Sequence, residues 1–286
     1  MRFLLKDTAA TLAFDLPQRA DATPTFVVTG PGGGDTQASS SVTLDTVNTT
    51  LSGAAAAGAS SVTVTSASGI VVGRKYLLAG AEATGGERVT VKSIASTTIT
   101  LVRPLRFAKA SGATFQSSRL TMAVTAAAVP SYGRHYRATI SWAVSTVAQD
   151  AVHVDFDVCR YVPSTVLSLD DVSDLDPMLA KRLPAGLWVP ALMDRAWDMM
   201  LRRIASKKEP GSLIGSVDLT TPHSYLVRAL LAETAGEDFA AYHTSMVERY
   251  VTELESVLAS AAFDDDMDGE PEPHEQWFRS VDVIRA

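Results

Sequence analysis

The chain has 286 residues, 46% of them hydrophobic, which is enough for two or three compact units with apolar cores. Its net charge of −7 at pH 7 argues against a nucleic-acid-binding protein, because affinity for phosphates needs a concentrated basic surface. The single cysteine, Cys159, permits no internal disulfide. Residues Met1–Phe14 are interrupted by Arg2, Lys6 and Asp7, so the sequence predicts neither a signal peptide nor a membrane span, and we expect a soluble intracellular protein.

Residues 1–165 are poor in charge and rich in Thr, Ser, Val, Ala and Gly, in short runs typical of β-strands. The glycine-rich stretch Gly30–Asp35 is not followed by a helix start with a lysine, so it predicts a hairpin loop and no phosphate site. We expect residues 1–51 and 119–165 to form one discontinuous β-sandwich. The runs outside a central block predict strands at Phe26–Thr29, Val42–Thr50, Arg119–Thr125, Tyr136–Ser145 and Val152–Tyr161.

The central block, residues 52–118, has the pattern of a self-contained insertion. Its short β-prone runs are separated by turns that contain glycine, and such a series of strands is typical of a small barrel. The runs are Ser61–Thr65, Tyr76–Leu78, Glu87–Ile94, Thr97–Leu101 and Ala108–Phe115. We therefore predict an inserted small β-barrel.

Residues 166–262 carry a helical pattern. Val189–Lys207 has apolar residues at spacings of three and four, and we interpret this amphipathic helix as the one around which the region is organised. Further helix signals are a cap at Ser168–Asp171, a start at Asp176 and Pro177, a helix from Thr221 to Gly236, and a last helix over Glu237–Ala262. The predicted fold class is a multidomain α+β protein: an N-terminal β-sandwich carrying the small β-barrel, then a C-terminal α-helical bundle and an extended acidic tail, residues 263–286.

One motif that resembles a binding site follows the last predicted helix. Asp264, Asp266, Asp268 and Glu275 match the first, third, fifth and twelfth positions of an EF-hand calcium loop. Pro271 stands at the eighth position, where pairing with a partner loop uses a backbone N–H that proline lacks. We therefore favour an acidic linker over a calcium site, and calcium is the only cofactor that the sequence suggests.

The predicted strand Val152–Tyr161 places His153, Asp155 and Asp157 on one face. Successive members of this row are about 6.6–6.8 Å apart, too far for all three to bind one ion, so a solvated face is favoured. Cys159 shares that face, where the negative charge opposes a reactive thiolate. The sequence has no HExxH, GxSxG, SxxK or CxxC motif, and we predict no catalytic residue and no enzyme.

The end of the chain regains apolar residues after the acidic linker. Two interpretations remain open for this segment: an arm that docks on a neighbouring subunit, or a return onto the helices of its own chain. Its apolar residues are Trp277, Phe278, Val281, Val283 and Ile284.

The run Leu169–Leu179, the tryptophan-containing helix Leu187–Arg203, the segment Tyr225–Ala232 and the long last helix resemble the helical core of head-to-tail connector (adaptor) proteins of tailed bacteriophages. The inserted block, with Ser61–Thr65 and Glu87–Val91, is similar to small β modules of phage virion proteins. Adaptors of this kind are usually smaller and lack so large a β half.

The resemblance implies a structural virion protein that assembles in the host cytoplasm. Subunits would form a homo-oligomeric ring, a dodecamer, between the portal protein and tail, tail-terminator or nozzle proteins, without a membrane, and DNA would pass through without specific binding. An acidic ring suits that passage, since it does not hold DNA. The residues implied at the portal or subunit interface are Trp197, Met200, Tyr250, Trp277, Phe278, Val281, Val283 and Ile284.

Two other classes of function remain open. A carbohydrate-binding or adhesion module of a virion or cell-surface protein is suggested by the Ser/Thr-rich β half with its aromatic residues Trp142, Tyr132 and Tyr136. A polysaccharide hydrolase would need paired carboxylates such as Asp155 and Asp157. Because these two acids lie on one side of one strand, they do not flank a substrate cleft as glycosidase carboxylates do.

Overall fold

The computed structural model describes residues 2–80, 86–173, 177–184, 187–208, 210–213, 217–259 and 261–264. Within them, β-sheets precede a C-terminal helical region, and the predicted α+β class is confirmed. The chain divides into two compact units. One unit comprises Met1–Thr8, Val129–Tyr136 and Asp155–Ala286, and the other comprises Ala9–Ala128 and Arg137–Val154. The predicted boundaries of the sandwich, the barrel, the bundle and the tail stay predictions.

The strands are short, and most alternate buried with exposed residues. In chain order they are β1 (Phe3–Leu5), β2 (Ala10–Asp15), β3 (Thr25–Thr29), β4 (Asp35–Ser41), β5 (Thr43–Leu44), β6 (Asn48–Thr50), β7 (Ser61–Thr63), β8 (Lys75–Leu78), β9 (Glu87–Ala95), β10 (Thr98–Leu101), β11 (Thr114–Gln116), β12 (Arg119–Val124), β13 (Gly133–Ser141), β14 (Ala143–Val144), β15 (Val147–Ala148) and β16 (Val152–Cys159). The helices are α1 (Leu169–Ser173), α2 (Pro177–Arg182), α3 (Val189–Ala205), α4 (Thr220–Ala235) and α5 (Ala240–Ala259).

A five-stranded sheet has the order β1-β16-β13-β3-β4. Its β1 strand runs parallel to β16, whereas β13 and β4 both pair antiparallel with β3. The predicted loop Gly30–Asp35 does connect a hairpin, and the Gly30 N–H donates to the Gly34 carbonyl at 2.9 Å. The second strand of that hairpin is β4, a run of small polar residues that the sequence pattern did not indicate.

A three-stranded sheet has the order β2-β12-β5. The prediction of one strand over Val42–Thr50 is wrong, because this stretch divides into β5 and β6, which belong to different sheets. Asp45 makes the division: its carboxylate accepts the N–H of Val47 at 3.0 Å, a local turn that interrupts the strand. The sequence also gave no indication of β1 and β2.

A six-stranded sheet, in the order β6-β11-β8-β9-β10-β7, is built mainly from the predicted insertion. The two outer strands, β6 and β7, are also joined by backbone hydrogen bonds. The N–H of Ser52 donates to the Thr63 carbonyl at 2.9 Å, and the N–H of Thr65 donates to the Thr50 carbonyl at 2.8 Å. Tyr76 and Phe115 stack in the core with ring centroids 5.0 Å apart. This sheet therefore has a hydrophobic core of its own.

The helical region packs around α4. Helices α1, α2, α3 and α5 all contact it, and the prediction that Val189–Lys207 organises the region is therefore wrong. Helix α4 is apolar on most of its circumference, as expected for a helix surrounded by others. Its buried residues are Pro222, His223, Leu226, Val227, Ala229, Leu230, Leu231 and Ala232.

The helix ends follow local chemistry. The cap predicted at Ser168–Asp171 is confirmed: the hydroxyl of Ser168 accepts the Asp171 N–H at 3.3 Å, and the carboxylate of Asp171 accepts the Ser168 N–H at 2.7 Å. The Ser168 hydroxyl also donates to the Asp171 carboxylate at 2.6 Å, and this bond, together with the one from the Ser168 N–H, lowers the pKa of Asp171. Pro190 lies in the first turn of α3, where the missing N–H of proline costs no helical hydrogen bond. Asp176 lies outside the described residues. The predicted last helix begins with a 3₁₀ turn at Glu237–Phe239 before α5.

Candidate functional site

The candidate calcium loop is represented in the structure by Asp264, because Asp266, Asp268 and Glu275 lie outside the described residues. Asp264 is only 5% exposed, and its backbone N–H donates to the carbonyl of Ser212 at 2.8 Å. Across the part of the chain that the structure describes, no three His, Cys, Asp or Glu residues are grouped as metal ligands. Asp264 is thus buried and hydrogen-bonded to the helical region through its backbone.

Arg160 and Tyr132 lie beside Asp264, and the three residues line a cavity of about 10 Å³ that holds one water at most. The Arg160 Nε donates to the Tyr132 hydroxyl at 3.3 Å. This hydrogen bond raises the pKa of Arg160, and the negative charge of Asp264 adds to the increase. A calcium ion bound by Asp264 would therefore compete with a nearby guanidinium cation.

The polar face of β16 carries no shared site. His153 Nδ1 lies 3.1 Å from the hydroxyl of Thr139, whereas the carboxylate of Asp157 accepts the backbone N–H of His135 at 3.1 Å. Cys159 is buried, and its thiol donates to the carbonyl of Leu4 at 3.4 Å. Burial, reinforced by the charge of Asp157, raises the pKa of Cys159 to about 12. The thiol is thus protonated at neutral pH.

The structure separates the predicted helical interface residues into core and surface. Met200 and Tyr250 are 0% and 6% exposed and belong to the hydrophobic core of the helices. Burial raises the pKa of Tyr250 to about 12. Trp197 is half-buried against the same core. The remaining predicted interface residues, Trp277, Phe278, Val281, Val283 and Ile284, lie outside the described residues.

His223 connects α4 to two other parts of the helical region. Its Nε2 lies 2.9 Å from the carbonyl of Met193, and its Nδ1 lies 3.2 Å from the hydroxyl of Thr165. Because a carbonyl only accepts, Nε2 carries the proton and the neutral Nδ1 accepts from Thr165. The ring centroid lies 5.5 Å from that of Trp197. Burial lowers the pKa of His223.

A row of exposed apolar side chains lies between β16 and α1. Tyr161, Val162, Val166 and Leu169 are 42%, 40%, 81% and 50% exposed, and we name them the apolar strip. The sequence pattern placed Tyr161 in a strand and Leu169 in a helix cap, and it did not indicate an exposed surface here. The available signal was a run of large apolar residues next to Pro163 that follows neither the period of a helix nor that of a strand.

A second surface feature is a groove of about 410 Å³ along α4 and α5, lined by Tyr225, Glu248, Arg249, Thr252 and Glu253. The guanidinium of Arg249 lies 6.0 Å from the centre of the Tyr225 ring. The groove is open and its charges are mixed, so it has no feature that selects one class of ligand.

The sequence matches no known protein family, and no curated protein is similar to it. Of the helices in the described part of the chain, none has the length and apolar character needed to cross a membrane.

Proposed function

We propose that this chain is a structural virion protein, a head-to-tail connector (adaptor) that forms a homo-oligomeric ring between the portal and the tail of a tailed phage. The observation that carries the proposal is the order of the helices. Two short helices, α1 and α2, precede the tryptophan-containing α3, and α4 and the long α5 follow on the same core. This is the order on which the resemblance to connector proteins rests.

The β half would carry the accessory domains of such a connector, a sandwich and an inserted small barrel. The barrel is supported by the hydrogen bonds that join the two outer strands of the six-stranded sheet on either side of the β-bridge between Leu51 and Val64. The sandwich is supported by Gln37 of β4, whose side-chain amide donates to the Ala123 carbonyl of β12 at 3.1 Å. These domains would project from the ring.

Charge and exposed apolar surface also favour an assembly role. The net charge of −7 suits a passage for DNA that must not retain it. The apolar strip supplies surface that a subunit contact would bury. The proposal includes no catalytic reaction, and its partners are further copies of the chain, the portal protein and a tail, tail-terminator or nozzle protein.

The test is the native mass of the purified full-length protein, measured by light scattering on a sizing column, alone and with portal protein. A ring-sized species, or a monomer that becomes one when portal protein is added, is the expected result. A monomer that ignores portal protein would contradict the proposal. The same measurement with and without calcium tests the loop at Asp264–Glu275, since a calcium-dependent mass would support a bound ion.

The carbohydrate-binding alternative loses part of its support. Trp142 is 8% exposed, and its Nε1 donates to the carbonyl of Asp150 at 3.1 Å. Tyr136 is 1% exposed and stacks on Phe156. Neither ring offers a face for a sugar. Glycan-array binding by the monomer would nevertheless restore this function over the connector.

A further inference from the structure

The apolar strip is held in place by residues that alternate with it. Over residues 163–168 burial alternates, and Pro163, Thr165 and Leu167 are less exposed than Ser164, Val166 and Ser168. The hydroxyl of Thr165 bonds to buried His223, and the N–H of Val166 donates to the hydroxyl of Thr220 at 3.2 Å. Leu167 packs on the helical core. The strip is thus an anchored surface that presents Val166 outward, with 81% of the residue exposed.

The described chain ends next to this strip. Phe263 is fully buried and forms an isolated β-bridge with Leu213. Asp264 follows it and lines a cavity together with Arg160, the residue directly before Tyr161. The remaining sequence leads through an acidic linker to the apolar segment Gln276–Ala286. Eleven residues separate Asp264 from Gln276, a reach of up to about 40 Å, which exceeds the roughly 26 Å that the chain from Tyr161 to Leu169 can span at most.

We propose that the apolar strip of one copy binds the segment Gln276–Ala286 of a neighbouring copy. The proposal rests on the ring of the proposed function and names the contact that links its subunits. The segment carries five large apolar residues, Trp277, Phe278, Val281, Val283 and Ile284, which match the apolar surface that the described part of the chain leaves exposed. Prolines and like charges both favour extended linkers, and the sequence before this segment contains Pro271 and Pro273 among acidic residues.

Charge supports the same pairing. The strip ends at α1, whose first turn carries the exposed carboxylates Asp170 and Asp171. The segment carries Arg279 and Arg285 against one acid, Asp282. A contact between two different surfaces is heterologous, so each copy offers a segment to one neighbour and a strip to the other, and repetition gives a ring where the rotation between copies closes.

The test uses full-length chains and disulfide cross-linking. One batch carries Val166→Cys and a second, of distinguishable mass, carries Val283→Cys. Cys159 contributes little background because it is buried and its pKa is about 12. The matched control replaces Val166→Cys with Val147→Cys, since Val147 is 62% exposed on a hairpin far along the chain from the strip. A third chain carries Val166→Cys and Val283→Cys together.

We expect the mixed chains to cross-link at least about tenfold faster than the control, because binding raises the local thiol concentration. The doubly substituted chain should give a ladder of linked copies. A linkage confined within single chains would overturn the proposal in favour of self-covering, and a rate equal to the control would overturn it outright. The mass of the unsubstituted protein distinguishes the connector proposal from the contact proposal. A ring that forms without this cross-link would support the connector function and contradict only the contact between the strip and the segment.

Discussion

Lys109 and Glu87 form a salt bridge inside the six-stranded sheet, with 3.4 Å between Nζ and the carboxylate. Their side chains are 0% and 8% exposed. The Glu87 carboxylate also accepts the backbone N–H of Arg106 at 2.7 Å, and the Lys109 N–H donates to the Ala55 carbonyl at 2.7 Å. These bonds hold the non-strand segment that contains Arg106 and Lys109 against the sheet. The buried salt bridge therefore fixes where this segment lies.

Removing one partner of this salt bridge should cost more than removing both. We expect Lys109→Met to lower the free energy of unfolding by about 3–5 kcal/mol, because it leaves the Glu87 charge buried without its cation. The double variant Lys109→Met, Glu87→Gln should recover part of that loss. Urea unfolding followed by circular dichroism measures both, and equal losses in the two variants would show that the buried charge is not the cause.

His223 should make the helical region sensitive to acid. Burial lowers its pKa below the ordinary value of 6.5, although the nearby Asp194 opposes the shift. The unfolded chain therefore binds a proton at a higher pH than the folded chain does. The contribution of neutral His223 is complete above pH 6.5 and is lost as the pH falls toward the lowered pKa.

The comparison that isolates His223 uses His223→Gln, which does not titrate. We expect the unsubstituted protein to lose more stability than this variant between pH 7.5 and pH 5.5, because one pKa unit corresponds to about 1.4 kcal/mol. Urea midpoints at the two pH values measure the difference. Parallel losses in both proteins would assign the acid sensitivity to other groups.

At the scale of elements, the hairpin β14-β15 contains a strained turn. Its two central residues, Ser145 and Thr146, have φ values of 49° and 66°, the left-handed region that disfavours side chains and above all β-branched ones. Two-residue hairpins with both φ values positive prefer Asn-Gly. The carboxylate of Asp21 accepts the Ser145 N–H, and this contact holds the turn against its strain.

Thr146→Gly should therefore stabilise the protein by about 1 kcal/mol. The matched control is Thr63→Gly on β7, an exposed strand residue with ordinary backbone angles, where the loss of the side chain should destabilise by about 1 kcal/mol. Thermal unfolding of both variants measures the change in stability, which we expect to have opposite signs at the two positions. A loss of stability at both positions would refute strain as the property of this turn.

Helix α3 provides a matched pair of neighbours for core and surface. Met200 is 0% exposed in the helical core, whereas Met199 is 40% exposed. We expect Met200→Ala to cost about 2–5 kcal/mol through a cavity, and Met199→Ala to stay within about 0.5 kcal/mol. Urea unfolding of the two variants checks the assignment, and a similar cost at both positions would place the helix in another orientation.

The helices and strands differ in how clearly the sequence pattern predicts them. Helix α3 was predicted because one side is apolar and the other charged, and this contrast is what periodicity detects. The central role of α4 was missed, because a helix buried on most sides has little contrast. Strand β4 was missed because its small polar residues carry no alternation. The apolar strip has no regular period, and only the three-dimensional arrangement shows that Val166 faces outward while Leu167 faces the core.

At the scale of the whole molecule, surface charge distinguishes a protein that lets DNA pass from a protein that binds DNA. The chain has 25 basic and 32 acidic residues. Glu255 lies 3.2 Å from Lys207 and 3.9 Å from Arg203, so its carboxylate offsets part of the positive charge at the basic end of α3. Nonspecific DNA binding requires a concentrated positive surface, and the Glu255 carboxylate reduces the positive charge at this end of α3.

We expect the protein to leave duplex DNA unretarded in gel-shift assays at about 0.15 M salt, with any dissociation constant weaker than about 10⁻⁴ M. Glu255→Gln is the most demanding variant, because it removes a carboxylate that lies beside two cations on one surface, and we expect it to raise the affinity by less than about tenfold. Lys207→Gln in the same background serves as its control. Retardation by the unsubstituted protein that weakens steeply with salt would show a phosphate-binding surface and would oppose the proposed free passage of DNA through a ring.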